Sequence, residues 1–294
     1  MTVSATAAES VLVETPYGRV HVTDTTGKSP ALVLMHGFPD DSRIYNQLTP
    51  HLAARRAVSI DFHGFGRSDR PTTSELLPGQ RETELAAVLD ARELDQVVLV
   101  GHDASGPVAI DYTLSHPTRI KRLVLMNTYY GHADTLRLPE MIRLFADPDL
   151  SPLADAIVAE PQMIQWLLAH TLRQFGYPDD NPPGVAAASI IPQFFGDADA
   201  PHALTAIRAW IATVFTELAA QDRRIATGAL KALTVPVTIA FGADDTYLNP
   251  DLAQHLAGLF GHADLHLIDD ANHWPQWDQP ERTAQLILEH SERP

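Results

Sequence analysis

The chain has 294 residues, of which 45% are hydrophobic, so it can bury a sizeable core as one large domain or as a core with an inserted module. Its formal net charge of −16 argues against nucleic acid and anionic membrane surfaces as partners. With no cysteine, the chain excludes disulfides, a thiol nucleophile and a cysteine metal site. The segment MTVSATAAESVLVET lacks the regions of a signal peptide, and no apolar run reaches about 18 residues, so we expect a cytoplasmic protein.

Short apolar runs bounded by turn residues predict the strands of a mostly parallel, eight-stranded sheet. Two runs, VLVET and RVHVT, predict an opening antiparallel hairpin that turns at Tyr17-Gly18. The strands that follow are predicted at Leu32 to Met35, Ala57 to Ile60, Val97 to Val100, Leu123 to Met126, Val237 to Phe241 and Leu265 to Ile268. Helical patterns beginning at Ser105, Asp251 and Pro280 lie between or after these runs, which indicates an α/β fold with helices flanking the sheet.

The alternation of strands and helices stops between about Thr128 and Ala229. Helical spacing recurs there, without a clear strand signal, at Leu204, Ile207, Ile211, Phe215 and Leu218 and again at Leu153, Ile157 and Val158 before Pro161. We therefore predict a core at 1–128 and 229–294 with a helical insertion at 129–228. The insertion is expected to cover the C-terminal edge of the sheet, where ligands bind in open α/β sheets.

The segment Gly101-His102-Asp103-Ala104-Ser105 follows an apolar run and precedes a helix, which is the small-x-nucleophile-x-small pattern of a nucleophile elbow. A bulky side chain two residues before or after the nucleophile would clash in so sharp a turn. Asp103 would then project into the pocket at a helix N-terminus, where the helix dipole favours an anion. The alternative from this pentapeptide is that Asp103 only caps the helix. Ser105 fits less well as a nucleophile, because Asp103 and Pro107 stand at its flanking positions.

A base and an acid follow at the ends of later strands. Asp245 lies in FGADDTYLNP and His273 lies in DDANHWPQW, so the chain order is nucleophile, acid, base. An acid in this position orients the histidine and stabilises its protonated form. Asp244 is the nearest rival for the acid, and Asp269 and Asp270 are weaker rivals because they are too close to His273 along the chain.

An oxyanion hole is predicted beside the elbow. His36-Gly37-Phe38-Pro39 ends the first core strand, and a loop in this position can supply a backbone N–H to a developing negative charge. The candidate donors are the N–H groups of Phe38 and of Ala104, the residue after the nucleophile. The sequence leaves open whether the bond before Pro39 is cis.

Five segments carry a resemblance that spans nearly the whole core: HGFP at 36, DFHGFGRSDRP at 61, GHDASG at 101, GADD at 242 and NHWPQWDQP at 272. Together they resemble the epoxide hydrolase and haloalkane dehalogenase branch of the α/β-hydrolase superfamily. The aspartate in the elbow is the specific signal, since serine is usual in the wider fold. The resemblance implies an α/β-hydrolase fold in which the insertion is a helical cap. Some dehalogenases carry the acid at the position of Asn127, so here the acid stays with Asp245.

The resemblance also implies a two-step hydrolysis that requires no metal and no cofactor. Asp103 attacks an electrophilic sp³ carbon and forms an ester, and a water activated by His273, with Asp245 behind it, then hydrolyses that ester. A carboxylate suits this role because it is ionised at pH 7 and its ester remains hydrolysable. We expect a small-molecule substrate as the partner and leave a homodimer open.

The departures from the family pattern favour epoxide ring opening to a vicinal diol. Dehalogenases hold the halide with a tryptophan after the nucleophile, and many also use Asn or Glu after the HG pair; Ala104 and Phe38 stand at these positions. Fluoroacetate-type dehalogenases place arginines near the elbow, and none occurs at 101–118. The alternatives are a haloalkane or haloacid dehalogenase and a non-hydrolytic protein of this fold, such as a cofactor-free oxygenase, a lyase or a ligand receptor.

Epoxide hydrolases protonate the opening ring oxygen with cap tyrosines. Tyr177 is the only tyrosine well inside the predicted insertion, and Tyr129 and Tyr130 stand at its entrance. His170, Gln165 and Trp166 are candidates to replace a missing tyrosine. We predict substrate contacts from His36, Trp166, His170, Tyr177, Tyr130 and Trp274.

Overall fold

The computed structural model describes residues 8–52, 55–71, 76–176 and 200–291. Its strands are β1 Ala8–Thr15, β2 Gly18–Thr25, β3 Lys28–Met35, β4 Arg55–Asp61, β5 Val97–Asp103, β6 Ile120–Thr128, β7 Val237–Gly242 and β8 Ala263–Ile268. They form one sheet in the order β1-β2-β4-β3-β5-β6-β7-β8. The pairings of β1 with β2 and of β2 with β4 are antiparallel and the other pairings are parallel. The predicted fold class, a mostly parallel eight-stranded sheet with an opening hairpin, is confirmed.

Helices flank this sheet. The described α-helices are α1 Gln80–Ala91, α2 Ser105–Ser115, α3 Glu140–Ala146, α4 Ser151–Val158, α5 Pro161–Gln174, α6 Ala200–Ile211, α7 Val214–Ala226, α8 Ala229–Ala232, α9 Pro250–Leu259, α10 Pro275–Asp278 and α11 Pro280–Ser291. The helix α2 packs against β5 and β6, α9 packs against β7 and β8, and α11 packs against β6 and β7. None of the helices in the described ranges is long and apolar enough to span a membrane.

Every described element between β6 and β7 is helical. The periodic residues from Leu204 to Leu218 fall in two helices, α6 and α7, because the chain turns at Ala212-Thr213. Pro161 begins α5, where the N–H that proline lacks would have no partner within the helix. The assignment of 129–228 as a separate cap stays a prediction.

The parallel strands are buried on both faces, which explains why their sequences read as continuous apolar runs. The residues Ala31–Met35 and Val97–Val100 are at most 2% exposed. The carboxyl ends of these strands share one edge of the sheet. Asp103 ends β5 at this edge, and the loops that leave it after β3, β7 and β8 carry Phe38, Asp245 and His273. The topology therefore brings together residues that are far apart along the chain.

Candidate active site

Asp103 is the last residue of β5, and the chain turns into α2 within two residues. Its φ of +49° lies in the left-handed region that residues other than glycine rarely adopt. The turn is so tight that a Cβ on Gly101 would lie 3.0 Å from the Cα of Gly106 and from the carbonyl oxygen of Ser105. A small residue two positions before Asp103 is therefore a requirement of this turn.

The Asp103 carboxylate does not cap α2. The N-cap position is held by Ala104, and no side chain bonds to the helix terminus there. Instead, Asp103 Oδ2 accepts the Phe38 N–H at 2.8 Å, and the Ala104 N–H also donates to the carboxylate. These are the two donors that the sequence predicted for an oxyanion hole. The Phe38-Pro39 bond in this loop is cis.

Ser105, the rival nucleophile, has no access to solvent. Its Oγ accepts the His102 N–H at 2.9 Å and lies 2.9 Å from the Met35 carbonyl oxygen and 2.8 Å from the His102 carbonyl oxygen, to either of which it can donate. The hydroxyl therefore joins the ends of β3 and β5 to the start of α2 and does not face the cavity.

His273 lies between two carboxylates. Its Nδ1 is 2.8 Å from Asp245 Oδ2, and its Nε2 is 4.0 Å from Asp103 Oδ1. The histidine is 3% exposed and Asp245 is 2% exposed, so little water screens these charges. The structure thus brings the three predicted catalytic residues together in the order carboxylate, imidazole, carboxylate.

The acid is fixed by three further donors. Asp245 Oδ1 accepts the N–H groups of Tyr247 and Leu248 at 2.9 and 3.1 Å, and Oδ2 accepts Asn127 Nδ2 at 2.8 Å. Of its rivals, Asp244, Asp269 and Asp270 are exposed to solvent. Asp245 is therefore the aspartate of this loop region that bonds to the histidine.

The charges in this group shift each other's pKa. Burial opposes the charge on His273 and lowers its pKa. The charge and hydrogen bond of Asp245 outweigh burial, with help from the charges of Asp103 and Asp40, and the pKa of His273 rises to about 9. For Asp245 burial is likewise outweighed, chiefly by His273, and its pKa is lowered. Burial raises the pKa of Asp103, against the charge of His273 and the N–H groups of Phe38 and Ala104. The resting site therefore favours an imidazolium ion between two carboxylates.

A cavity opens above Asp103 and His273, with a volume of about 60 Å³. Its described walls are mostly apolar and aromatic, and the charged side chains among them are Asp103, His273 and Arg137. The helices between β6 and β7 contribute Met141, Ile142, Thr171, Trp210, Ile211 and Val214 to the lining, and Phe175 follows α5. An apolar cavity with a few convergent polar groups is the usual form of a small-molecule site.

Tyr129 also lines the cavity and is 6% exposed. Burial raises its pKa well above the usual value, and the negative charge of Asp103 adds to this, so the phenol keeps its proton. From the sequence alone, Tyr129 lies at the entrance of the insertion but is not among the predicted substrate contacts. Its position one residue beyond the carboxyl end of β6 was the available signal.

Two predicted substrate contacts are corrected because their side chains are buried elsewhere. His36 is fully buried; its Nδ1 bonds to the Gly37 carbonyl and its Nε2 accepts the Phe62 N–H, so it joins the loops that leave β3 and β4. Tyr130 is 1% exposed, and its hydroxyl donates to Asp111 on α2. Neither residue lines the cavity.

The predicted contacts on α5 are corrected as well. Trp166 is 58% exposed, and its ring stacks on that of His170 with centroids 5.3 Å apart. Neither Trp166 nor His170 lines the cavity. Tyr177 lies outside the described residues, and the structure does not describe the side chain of Gln165. Trp274 does line the cavity, directly beside His273.

A second buried polar group joins the loops of the site. Trp274 Nε1 donates to Asp40 Oδ2 at 3.0 Å, and Asp40 is 1% exposed in the loop that also carries Phe38. His102 Nε2 donates to the His273 carbonyl at 2.8 Å. Burial raises the pKa of Asp40 to about 7, and the Trp274 bond and the charge of His273 oppose this rise. Asp40 could not be predicted from the sequence, because its partner lies 234 positions away along the chain.

Similarities to known proteins extend over nearly the whole chain. Residues 32–286 match the model of a family described as the alpha/beta hydrolase family. The chain is 26% identical to a 2-hydroxy-6-oxononadienedioate/2-hydroxy-6-oxononatrienedioate hydrolase of Burkholderia vietnamiensis, over 94% of this chain and 91% of that protein. It is 27% identical to haloalkane dehalogenase 2 of Mycobacterium tuberculosis, over 96% and 94% of the two chains. It is 31% identical to an epoxide hydrolase of Caballeronia sordidicola, over 50% and 49%.

Solved structures share the whole fold. A haloalkane dehalogenase from Agrobacterium tumefaciens C58 superposes with a TM-score of 0.78 at 17% identity, covering 97% of this chain and 96% of that one. The epoxide hydrolase CorEH superposes with a TM-score of 0.74 at 19% identity, covering 96% and 98%. The predicted resemblance to proteins of this kind is confirmed, and at these identities the superpositions speak for the fold alone.

Proposed function

Because this chain belongs to the alpha/beta hydrolase family, we propose that it hydrolyses its substrate through a covalent ester of Asp103, with His273 as the base and Asp245 as the acid that supports it. One observation carries the proposal. Asp103 holds one carboxylate oxygen against the Phe38 N–H at 2.8 Å and the other 4.0 Å from His273 Nε2. This arrangement leaves one oxygen to attack and supports the other for the negative charge that develops in the second step.

In the first step, Asp103 attacks a carbon of the substrate. For an epoxide, a bond forms between Asp103 and one ring carbon, the bond from that carbon to the ring oxygen breaks, and the oxygen takes a proton. We assign Tyr129 as the proton donor, because its phenol lines the cavity and its raised pKa keeps it protonated. The donor of a ring-opening proton must lie within hydrogen-bond reach of the oxygen.

In the second step, water attacks the carbonyl carbon of the ester. Esterification removes the charge of Asp103, which is one of the charges that raise the pKa of His273. The imidazolium then loses its proton to solvent more readily, and the neutral imidazole can accept a proton from the attacking water. The tetrahedral oxyanion lies against the N–H groups of Phe38 and Ala104. As it collapses, the leaving alkoxide takes the proton held by His273 and departs as the diol, and the proton of the new Asp103 carboxyl group returns to the Tyr129 phenolate, which restores the Asp103 carboxylate.

A single turnover in ¹⁸O-labelled water tests the covalent mechanism. Hydrolysis at the ester carbonyl predicts one labelled oxygen in the Asp103 carboxylate, detected by mass spectrometry of its peptide. Turnover without label in that peptide would contradict the mechanism and favour a non-hydrolytic or directly hydrolytic chemistry. His273→Gln is expected to accumulate the ester as a stable mass adduct.

The choice of an epoxide rests on Tyr129, and a matched pair of variants tests it. Tyr129→Phe is expected to slow diol formation by roughly 10²- to 10⁴-fold, the range of general acid catalysis. Tyr130→Phe removes the neighbouring phenol, which is bonded to Asp111 outside the cavity lining, and is expected to leave the rate within a few-fold. Equal losses in the two variants would contradict Tyr129 as the acid.

Dehalogenation is the second candidate. The indole of Trp210 lines the cavity, and indole N–H groups can hold a leaving halide. The relative named haloalkane dehalogenase 2, at 27% identity over 96% of this chain, also supports it. The indole N–H of Trp274 is already bonded to Asp40, which counts against a second indole donor. Halide release from haloalkanes, measured beside diol formation from epoxides, decides between the two.

A further inference from the structure

Among the described residues that line the cavity, Arg137 is the only arginine or lysine. The residue is exposed as well as part of the lining, so it lies where the cavity meets solvent. Most of the other described lining residues are apolar, and the other charged side chains among them are Asp103 and His273. A guanidinium therefore forms part of the border between the cavity and solvent.

The backbone around Arg137 is held in place from both sides. Asn249 Nδ2 donates to the Thr135 carbonyl at 3.2 Å, and the Tyr247 hydroxyl donates to Glu140 Oε2 at 2.6 Å. Both contacts attach the segment to the loop after β7, which carries Asp245. The segment that carries Arg137 is thus held by the same loop that carries the acid.

Arg137 has no acidic partner within ion-pair distance in the described ranges. Other arginines there do: Arg224 pairs with Asp111 at 2.8 Å, and Arg119 pairs with Asp90 at 2.8 Å. In a chain with a net charge of −16, acidic partners are abundant. Since no acidic group among the described residues pairs with it, the guanidinium at the cavity mouth is available to bind an anion.

We propose that Arg137 binds a carboxylate group of the substrate, so that the substrates of this enzyme are electrophiles that carry a carboxylate away from the reacting carbon. The proposal rests on the proposed function, since it assigns a substrate class to the Asp103 site. The planar guanidinium matches a carboxylate through two parallel hydrogen bonds. It also offsets the repulsion that an anion meets near the Asp103 carboxylate and in the negative field of the whole chain.

A binding experiment tests Arg137 without any chemistry. Benzoate and benzamide have nearly the same shape and differ in charge, and their affinities are measured by calorimetry at neutral pH. The wild type is expected to bind benzoate more tightly, and Arg137→Gln is expected to reduce this preference by roughly ten- to a hundred-fold, the range for a hydrogen bond to a charged group.

Arg143→Gln is the matched control. Arg143 is an exposed arginine on α3, six residues further along and outside the described cavity lining, so its replacement changes the net charge equally. We expect it to keep the preference for benzoate. An equal loss in both variants would show a long-range field rather than a binding site, and a wild type without any preference for benzoate would overturn the proposal.

Turnover separates this proposal from the proposed function. The substrates are styrene oxide with a para-carboxylate and its para-carboxamide counterpart, compared by kcat/KM. We expect the wild type to favour the carboxylate and Arg137→Gln to lose that preference mainly through KM. If neither epoxide yields a diol but benzoate is still preferred, epoxide hydrolysis is contradicted and carboxylate binding by Arg137 is supported. If both yield diol equally well and benzoate is not preferred, Arg137 fails and hydrolysis stands.

Discussion

Asn127 supports the acid of the site through both ends of its amide. Its Nδ2 donates to Asp245 Oδ2 at 2.8 Å, and its Oδ1 accepts the Gly242 N–H at 2.8 Å. The residue adopts a φ of +33°, so its backbone is also constrained. A carboxylate in this place would face Asp245 with a like charge, and the neutral amide avoids that repulsion.

Exchanging these two groups tests which carboxylate His273 needs. Asp245→Asn keeps the shape of the site but removes the charge that stabilises the imidazolium, so we expect ester hydrolysis to slow by about 10⁴-fold. Adding Asn127→Asp places a carboxylate beside the new amide and is expected to recover part of the rate. Single-turnover hydrolysis of the Asp103 ester measures both steps. A double variant no faster than Asp245→Asn would show that position 127 cannot orient the imidazole.

The orientation of individual side chains near the motifs could be predicted from the sequence only where the residues belong to one local turn of known geometry. Asp103 and Gly101 belong to one local turn, so their relation is contained in the pentapeptide. Tyr129 and Tyr130 are neighbours, and the sequence does not state which of them faces the cavity, although neighbouring side chains in extended chain point in opposite directions. Trp166 has an aromatic side chain in the predicted insertion, but its exposure depends on how α5 packs.

At the scale of elements, the loops after β3 and β8 meet through Asp40 and Trp274. The Asp40 charge is one of the causes that raise the pKa of His273. Asp40→Asn keeps an acceptor for the Trp274 N–H and removes that charge, so we expect the pKa of His273 to fall. Imidazole titration by NMR measures the shift. Asp269→Asn, at an exposed position near His273 along the chain, is the control and is expected to leave the titration unchanged.

The packing of α2 on β6 depends on Gly106. A Cβ there would lie 1.9 Å from Thr128 Oγ1, and that hydroxyl donates to the Asp103 carbonyl at 2.5 Å. Gly106→Ala is therefore expected to push the helix from the strand, to lower the free energy of unfolding by roughly 1–3 kcal/mol and to disturb the elbow. Gly258→Ala in α9 meets no atom within 4 Å and is expected to stabilise the chain by up to about 1 kcal/mol. Urea denaturation compares them, and equal effects would contradict this account.

The elements themselves were predictable to different degrees, for physical reasons. The strands were, because burial on both faces demands apolar runs that need no partner to be recognised. The helix α1 was missed, because its buried residues include Gln80, Arg81 and Glu84 and so interrupt the apolar stripe. The guanidinium of Arg81 lies 3.4 Å over the ring of Trp210, a contact between α1 and α6 that only the assembled fold provides.

At the scale of the whole molecule, the buried charges of the site make stability depend on pH. Asp245 has a lowered pKa, so its contribution is present above its unfolded pKa and is lost as the pH falls through the folded one. Asp40 has a pKa raised to about 7, so burial of its charge reduces stability as the pH rises from its usual value of 3.8 toward 7. In a plot of the free energy of unfolding against pH, the fall on the acid side and the fall on the alkaline side (the acid and alkaline limbs) therefore have different origins.

The alkaline limb belongs to His273. Its pKa rises from 6.5 to about 9 in the folded state, so its contribution is fully present below pH 6.5 and is lost as the pH rises through about 9. At 1.36 kcal/mol for each pKa unit, the loss amounts to roughly 3 kcal/mol. The free energy of unfolding, measured by urea denaturation at a series of pH values, should fall across this window in the wild type. His273→Gln removes the titrating group and should flatten the limb, whereas His262→Gln, at a side chain that is 87% exposed, should leave it. An equally steep limb in His273→Gln would mean that the alkaline loss arises from the net negative charge of the chain rather than from the site.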